Sequence, residues 1–595
     1  MSAFAKRTGL LFPLLLAGCT SSLDTNGGRR PGGGQVAPGA TTETPGSPGT
    51  PSASPLTPPG GMTSAVVTPP VVIGPPPVVP MTCTAPFDPG FTPLRRMSRG
   101  EYDNTVRDLL GDTTAPARAF PNDDSVIAAN LTLPQLLFEK YFDAAKTLAT
   151  DAWARQVAGT QTVSLWPCTP SATDLTCARQ IVSSFATRAF RRPVPESDLA
   201  PYFAILSKAE TLGDSLEVGT KQALRAVLLS PNFIYRPEFD VPETPDAIHQ
   251  LNPFEIASRL SYFLWASMPD AGLFDLATQG TLSNPEVLRA QANRMLTDPR
   301  SVGFVEKFGA YWLGISGIEN ANPDPAIYPT WSEELRASMA AETRTFLGAF
   351  VHEPHPLRSS LDANFTFLDQ RLSDHYGISL SGGTADPSGL TRVPLPQGVR
   401  MGLLGHASLL TMNSKATETA PVRRGKWVLG NLLCSAPPPP PPNIDTTEAP
   451  PMPGSGPQTA RERLAIHRAD PACAGCHAAM DPVGLGLENF DGLGRYRSVD
   501  SNNIPIDPSG MLPTGEAFTT FEELRSILKS DPRITTCAAS SVLTYALARS
   551  TTESDSCLTT DLATKADTAN SSLSDLLLGV IESPWFTFRR GEKLP

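Results

Sequence analysis

The sequence predicts a mainly α-helical protein built from several domains. Apolar residues recur at helical spacing over most of the chain, and runs with strand alternation are scarce. The length of 595 residues exceeds what one hydrophobic core supports and predicts about three to five folded units. The formal net charge is −11, whereas a nucleic-acid backbone requires a basic protein face. We therefore expect no nucleic-acid partner.

The N-terminus has the pattern of a bacterial lipoprotein signal peptide over residues 1–18. Lys6 and Arg7 form a positive segment, and the leucine-rich run that follows is too short to span a bilayer. Residues 16–19 resemble a lipobox, which is cut before its cysteine, so Cys19 is the predicted lipidation site. An ordinary signal peptide is the alternative. We expect an exported protein that a lipid anchor alone holds to the membrane, on the periplasmic or cell-surface side, with the outer membrane favoured.

Low-complexity stretches separate the predicted folded regions. Residues 19–82 are rich in Gly, Pro, Ser and Thr and have too few large apolar groups to fold, which predicts a disordered linker. Residues 437–442 are all proline and predict a stiff polyproline II segment of roughly 19 Å. The predicted folded domains are, in order, residues 83–165, 168–240, 248–380, 395–505 and 515–592.

Cap signals and amphipathic runs predict the individual helices. Ser98 and Glu101 have the spacing of a capping box before a buried stripe, and Asn252 and Glu255 mark a second helix start. Residues 391–394 are a candidate strand. The other predicted helices are residues 136–155, residues 331–350 as a long surface helix, residues 521–528 and residues 541–547.

The chain has nine cysteines, and six remain once Cys19 and a CxxC pair are set aside. An even remainder in an exported protein predicts disulfide bonds, although the pairing does not follow from sequence alone. The alternative is that some of the six cysteines are free and buried. Short loops favour the pairs Cys168–Cys177 and Cys537–Cys557, which leaves Cys83–Cys434.

The strongest chemical signal is the sequence Cys473-Ala-Gly-Cys476-His477, which has the form of a c-type haem attachment site. Two thiols on one helical turn reach the two vinyl groups of a porphyrin, and the adjacent histidine points at the iron. Pro471 and Pro482 bracket the motif and predict a short, isolated helix. We therefore predict one covalent haem c, with His477 as axial iron ligand, in a small c-type-cytochrome-like domain.

Other sites could use the same cysteines. A thioredoxin-like CxxC needs a βαβ context that the sequence lacks. A zinc site needs four ligands, and the nearest spare histidine is His467. A structural disulfide between Cys473 and Cys476 is the third alternative. Residues 352–355 resemble a metalloprotease motif, but they lack its spacing, and Pro354 would break the required helix.

The sixth iron ligand has three candidates. Met511, in a Gly/Pro-rich loop, would raise the reduction potential, and His467, just upstream of the motif, would lower it. An open position would permit small-molecule chemistry. Met480 lies only three residues after His477 and therefore stays on the same side of the iron.

Two groups of basic residues flank the motif. Arg495 and Arg497 could pair with haem propionates, because a guanidinium is a fork-shaped donor to carboxylates, or they could form a solvated turn. Arg423, Arg424 and Lys426 form a basic cluster before the prolines. A surface turn is favoured for this cluster over a docking site for an acidic redox partner.

Several stretches recur together in a fixed order: residues 94–102, 185–193, 229–233, 258–265, 421–427, 476–477, 481–484 and 488–491. In this order they resemble the large secreted cytochrome-associated proteins abundant in planctomycetes and myxobacteria, over about residues 90–592. The resemblance implies five consecutive domains of unknown function, the fourth described as a planctomycete-type cytochrome domain. It places the family's haem motif on Cys473, Cys476 and His477 and its upstream histidine on His467. The family does not require methionine at the positions of Met480 and Met511, which weakens both as candidate iron ligands.

Two functions from different classes follow. The first is a mono-haem protein that passes electrons to a redox partner or serves an oxidative reaction on an unknown substrate, with a peroxidase-type enzyme if the iron site is open. The second is a non-redox surface scaffold or binding lipoprotein, which the resemblance associates with polysaccharide breakdown. About 500 folded residues for one haem is a large excess over an electron carrier, which indicates a partner or substrate surface and is the strongest point in favour of the second function.

Overall fold

The computed structural model describes residues 87–592 apart from residues 123–124, 171–174, 242–243, 397, 439–457, 470 and 570. The predicted signal peptide, Cys19, the linker, Cys83 and most of the proline run lie outside the described residues. Helices dominate the described residues and the strands are short, which confirms the mainly α-helical prediction.

The first group of helices packs around two buried tyrosines, Tyr102 and Tyr141, whose ring centroids are 5.2 Å apart. Ser98 caps the first helix through the predicted capping box with Glu101. A two-stranded antiparallel sheet joins β1 to β2. The elements are β1 (Arg95–Arg96), α1 (Arg99–Leu110), α2 (Gln135–Val157), α3 (Leu175–Ala189), α4 (Glu196–Thr211), α5 (Leu216–Leu228), α6 (Pro231–Ile234) and β2 (Tyr235–Arg236).

The second group begins at the predicted start, where Asn252 and Glu255 form a capping box. It contains a three-stranded antiparallel sheet in the order β4–β6–β5. Strand β6 confirms the predicted strand. The elements are β3 (Ile248–Gln250), α7 (Pro253–Leu264), α8 (Ala271–Thr278), α9 (Pro285–Leu296), α10 (Val302–Trp312), α11 (Glu333–His352), β4 (Phe365–Leu368), α12 (Gln370–Tyr376), β5 (Thr384–Ala385) and β6 (Thr391–Pro394).

The third group carries the CxxCH motif on α16 and returns to the second group at its end, where β9 pairs antiparallel with β3. The predicted helix at residues 541–547 is the second half of α18. The elements are α13 (Ala407–Met412), α14 (Pro421–Trp427), α15 (Ala460–His467), α16 (Pro471–Leu485), β7 (Gly510–Met511), β8 (Ala517–Phe518), α17 (Phe521–Ser530), α18 (Arg533–Leu547), α19 (Ser556–Ala569), α20 (Leu573–Glu582), α21 (Pro584–Thr587) and β9 (Phe588–Arg590).

The largest hydrophobic cluster joins the second and third groups. Phe304 and Phe346 from the second group and Val483 and Leu577 from the third belong to this one cluster. We call it the main core. Because α16 contributes the buried Val483, the motif helix is a packed part of the fold and not a separate unit.

Helix α11 confirms the helix predicted at residues 331–350, but its predicted surface position is wrong. Met339, Phe346 and Phe350 are each at most 1% exposed. Polar residues between them, including Glu342 and Thr343, are also buried and satisfied by side chains from other elements. Polar residues in a helical pattern therefore did not indicate a surface position here, because side chains distant in sequence pair with them in the core.

The disulfide bonds only partly follow the sequence prediction. Cys168 is bonded to Cys177, as predicted. Cys434 is bonded to Cys537, so the predicted pairs Cys537–Cys557 and Cys83–Cys434 are both wrong. Cys557 is disulfide-bonded as well. Disulfides of this kind are consistent with an exported protein. In the described ranges, no helix is both long enough and apolar enough to cross a membrane.

Glu342 is a buried carboxyl group at the centre of α11. Thr366 donates a hydrogen bond of 2.7 Å to its Oε1, and Tyr376 donates one of 2.6 Å to its Oε2. Burial raises the pKa of Glu342 to about 7, although both hydrogen bonds oppose this shift. The carboxyl group is therefore partly protonated in the folded protein near neutral pH.

We expect the free energy of unfolding to fall less with rising pH in Glu342→Gln than in the wild type. The folded-state pKa of about 7 exceeds the ordinary glutamate pKa of 4.5, so the stabilising contribution is complete below pH 4.5 and is lost as pH rises through 7. This contribution corresponds to about 3 kcal/mol. Urea unfolding at pH 5 and pH 8 measures it. Glu334→Gln, at an exposed position of the same helix, should leave the pH dependence unchanged; equal behaviour of the two variants would contradict the assignment.

Candidate haem attachment site

The CxxCH motif occupies the first two turns of α16. Cys473 and Cys476 are both free thiols and both half-buried. Cys476 packs against the main core. The side chain of His477 is 17% exposed. The structure therefore leaves both thiols and the imidazole accessible, with no disulfide between the cysteines.

One ring nitrogen of His477 is bonded to a buried carboxylate. Nδ1 of His477 lies 2.9 Å from Oδ1 of Asp481, one turn later on α16. Asp481 is 0% exposed, and Nη1 of Arg468 lies 3.7 Å from its Oδ2. Burial raises the pKa of Asp481, and His477 and Arg468 oppose this shift. Nε2 of His477 has no hydrogen-bond partner among the described residues.

His467, the upstream histidine, packs against His477. The two ring centroids are 4.5 Å apart, with an angle of 67° between the ring planes. A metal held between two imidazole nitrogens takes a bond of about 2 Å to each. Edge-to-face contact at this distance leaves no room for an iron atom between the rings. In this arrangement His467 is a neighbour of His477.

The two methionines occupy different environments. Met480 is 7% exposed and belongs to the main core. Met511 is 56% exposed and lies in β7, which pairs with β8 in a small hairpin that packs beside α16. Met511 is therefore the methionine near α16 whose side chain is free to contact a bound group.

Helices α14 and α16 approach each other through two glycines. A Cβ atom on Gly484 would overlap the carbonyl group of Pro421, and one on Gly425 would overlap that of Met480. The sequence predicted that the motif helix ends at Pro482, and this prediction is wrong because of the packing against α14. The helix runs through Pro482 to Leu485, because contacts with α14 outweigh the loss of one backbone hydrogen bond.

We expect Gly484→Ala to destabilise the protein by about 1–3 kcal/mol, because the methyl group would push α16 away from the backbone of α14. The matched control is Gly475→Ala on the same helix, where a Cβ atom would have nothing within 4 Å. Alanine in an open helical position stabilises by roughly 0.5–1 kcal/mol. Urea unfolding compares the two variants, and a shift of the same sign in both would contradict the close packing.

Arg424 of α14 holds the turn that follows the motif helix. It donates hydrogen bonds to the carbonyl oxygens of Leu487, Phe490 and Asp491 at 2.7–2.9 Å, and its Nη1 lies 3.6 Å from Oε1 of Glu488. Its side chain is 1% exposed. The predicted surface turn is therefore wrong for Arg424, because α14 is packed against α16. Arg423 and Lys426 of the same cluster are exposed.

The arginines after the motif bind protein groups. Arg497 donates to the backbone oxygen and the carboxylate of Glu488, at 3.2 and 3.1 Å. Arg495 donates to Nδ1 of His375 and to Oγ1 of Thr330. Pairing of these two arginines with haem propionates would require these contacts to be given up.

The residues present fit a covalently attached haem. The two free thiols lie one turn apart on the same helix, and one of the two positions between them, Gly475, has no described atom within 4 Å of where a Cβ would lie. Large apolar side chains, Ile466 at 49% and Met511 at 56%, are exposed on the elements beside α16. In the parts of the chain that the structure describes, no group of three His, Cys, Asp or Glu side chains could hold a metal ion by itself.

Sequence reasoning missed Asp481 as the partner of His477 and Arg424 as a buried clamp. The first had a readable signal, since a carboxylate four residues after a histidine on a helix lies on the same face. The second had none, because the groups that Arg424 binds are backbone carbonyls more than 60 residues later in the chain.

Family models match the chain in five consecutive segments. No curated protein and no solved structure matches it. The matched segments are residues 95–154 (protein of unknown function DUF1587), 177–238 (DUF1595), 251–378 (DUF1592), 400–500 (DUF1588, with the short name PSCyt3) and 514–586 (DUF1585). The predicted string of five consecutive domains of unknown function is confirmed, and α16 with its CxxCH motif lies in the fourth of them.

Proposed function

We propose that the protein is an exported, lipid-anchored mono-haem c-type cytochrome that acts in electron transfer or in an oxidative reaction. Cys473 and Cys476 would form the two thioether bonds to the haem, and His477 would be its axial ligand through Nε2. The observation that carries this proposal is a CxxCH motif whose two thiols are both free and accessible on one helix. The short name of the family model over residues 400–500, PSCyt3, agrees with a cytochrome association.

When bound, haem c supplies a one-electron redox couple. The protein's own contribution is to fix the group. Cys476, packed against the main core, defines the position of one link, and the close α14–α16 contact packs the helix against its neighbour. Among the proposed sixth ligands, the ring contact with His477 disfavours His467, which leaves Met511 or an open position.

The proposal is tested by producing the full chain in a host that exports proteins and attaches haem c. We expect a haem stain after denaturing electrophoresis and an intact mass of the polypeptide plus one haem. Carbon monoxide should leave the reduced spectrum unchanged if Met511 is a ligand, and should change it if the position is open. A colourless product with the mass of the bare, lipidated polypeptide would contradict the proposal and favour a scaffold or binding lipoprotein.

The lipid anchor is tested separately, since Cys19 is the proposed lipidation site. Cells grown with a labelled fatty acid should label the wild-type protein and leave Cys19→Ser unlabelled. Density separation of the membranes should place the labelled protein in the outer membrane. Equal labelling of the two forms would contradict the anchor without affecting the proposed haem site.

A further inference from the structure

Asp481, whose side chain is wholly buried, lies beside the proposed iron ligand His477. It lies one helical turn after His477 on α16, at 0% exposure, and its Oδ1 is 2.9 Å from Nδ1 of His477. This is the geometry of a hydrogen bond in which the ring N–H donates and the carboxylate accepts. The spacing of four residues is what places both groups on one face of the helix.

The carboxylate has few other partners that could share its charge. Its Oδ2 is buried and has no hydrogen-bond partner among the residues that the structure describes. In the described part of the chain the nearest cation is Arg468, with 3.7 Å between Nη1 and Oδ2, too long for a direct hydrogen bond. His477 is therefore the principal group that the carboxylate acts on. Because the pair is shielded from water, its electrostatic effect is larger than that of an exposed pair.

We propose that Asp481 is a positioning residue for His477, which holds the ring proton on Nδ1, presents Nε2 as the ligating atom, and lowers the reduction potential of the bound iron. The inference rests on the proposed haem function. A carboxylate that accepts the second N–H of a metal-bound imidazole fixes its tautomer and makes the ring a stronger electron donor. A stronger donor favours the more highly charged, oxidised iron.

Arg468 opposes this effect. Its cation faces the same carboxylate from the residue after α15, and it draws part of the negative charge away from the imidazole. Removing Arg468 should therefore act in the opposite direction to removing the charge of Asp481. The two substitutions together distinguish an effect transmitted through the carboxylate from a general loss of structure.

The first experiment compares the reduction potentials of the wild type, Asp481→Asn and Asp507→Asn as haem-loaded full chains. Asparagine keeps the shape and an acceptor oxygen but removes the charge. We expect Asp481→Asn to shift the reduction equilibrium at least tenfold toward the reduced form, which is about 59 mV for one electron. Asp507, which pairs with Arg461 and is 58% exposed, is the matched loss of charge and should shift it far less. Equal shifts in both variants would overturn the proposal.

Arg468→Gln is the second variant, and it tests the proposal even if Asp481→Asn does not fold. It should lower the potential, and a rise would overturn the proposal.

A further readout uses the haem-free chain with ¹⁵N-labelled histidine, where the signal of His477 is identified by its loss in His477→Gln. We expect a proton on Nδ1 in the wild type and a mixture of both tautomers in Asp481→Asn; unchanged tautomers would overturn the positioning role. If the wild type carries no haem, the proposed function fails, whereas this readout still decides the role of Asp481.

Discussion

Cys476→Ala is expected to abolish the haem stain of the protein produced with haem attachment machinery. Cys476 packs against the main core, so the position of its thiol is set by the fold, and the proposed thioether link would anchor the porphyrin beside α16. Without this thiol the haem would lose the bond that holds it against the helix during assembly. Electrophoresis under denaturing conditions measures the effect directly, because only covalent haem remains with the polypeptide.

The control for this variant is a double substitution that also removes cysteines, Cys168→Ser with Cys177→Ser. These residues form a disulfide bond in the first group of helices and take no part in the motif. The double variant should keep the stain at the level of the wild type, per amount of folded protein. A stain of wild-type strength in Cys476→Ala would contradict the attachment site, and loss of the stain in both variants would point to failed folding.

Arg424→Met is expected to destabilise the protein by about 3–5 kcal/mol, measured as the free energy of unfolding in urea. Methionine keeps the apolar stem of the side chain but lacks the guanidinium and cannot donate hydrogen bonds. The carbonyl group of Phe490 would lose its donor, and those of Leu487 and Asp491 would each keep only a backbone N–H donor. Glu488 would lose a buried cation 3.6 Å away. Buried acceptors left without partners carry the full cost of their lost hydration.

The neighbouring Arg423 provides the matched control. It carries the same side chain on the same helix but is exposed. Arg423→Met should change the free energy of unfolding by no more than about 0.5 kcal/mol. A difference of less than 1 kcal/mol between the two variants would contradict the role of Arg424 as the clamp of the turn at residues 487–491.

The disulfide bonds show how far sequence spacing can be used. Proximity in sequence correctly paired Cys168 with Cys177, which are nine residues apart, but failed for Cys537. Cys537 bonds to Cys434 across 103 residues. The entropic cost of closing a loop rises only slowly with its length, so a short loop is a weak preference. The packing of α18 against the segment after α14 decided this bond.

Local elements were predicted well, because the groups that form them are neighbours in sequence. The capping boxes at Ser98 and Asn252 use residues three positions apart, and the bounds of α2 lie within two residues of the predicted helix. The burial of α11 was not predicted. Its polar residue Glu342 is satisfied by Thr366 and Tyr376, which reach it only after the chain has folded.

By itself, the sequence determined the helical class, the cap positions, the order of the five domains and the placing of two thiols and an imidazole on one helical turn. Each of these depends on spacing over a few residues or on an ordered set of motifs. Only the tertiary structure decided that α16 passes through Pro482, that Arg424 and Asp481 are buried, and that His467 lies against His477. The physical reason is that burial and long-range contact arise when distant segments pack together, and no local pattern specifies which segments meet.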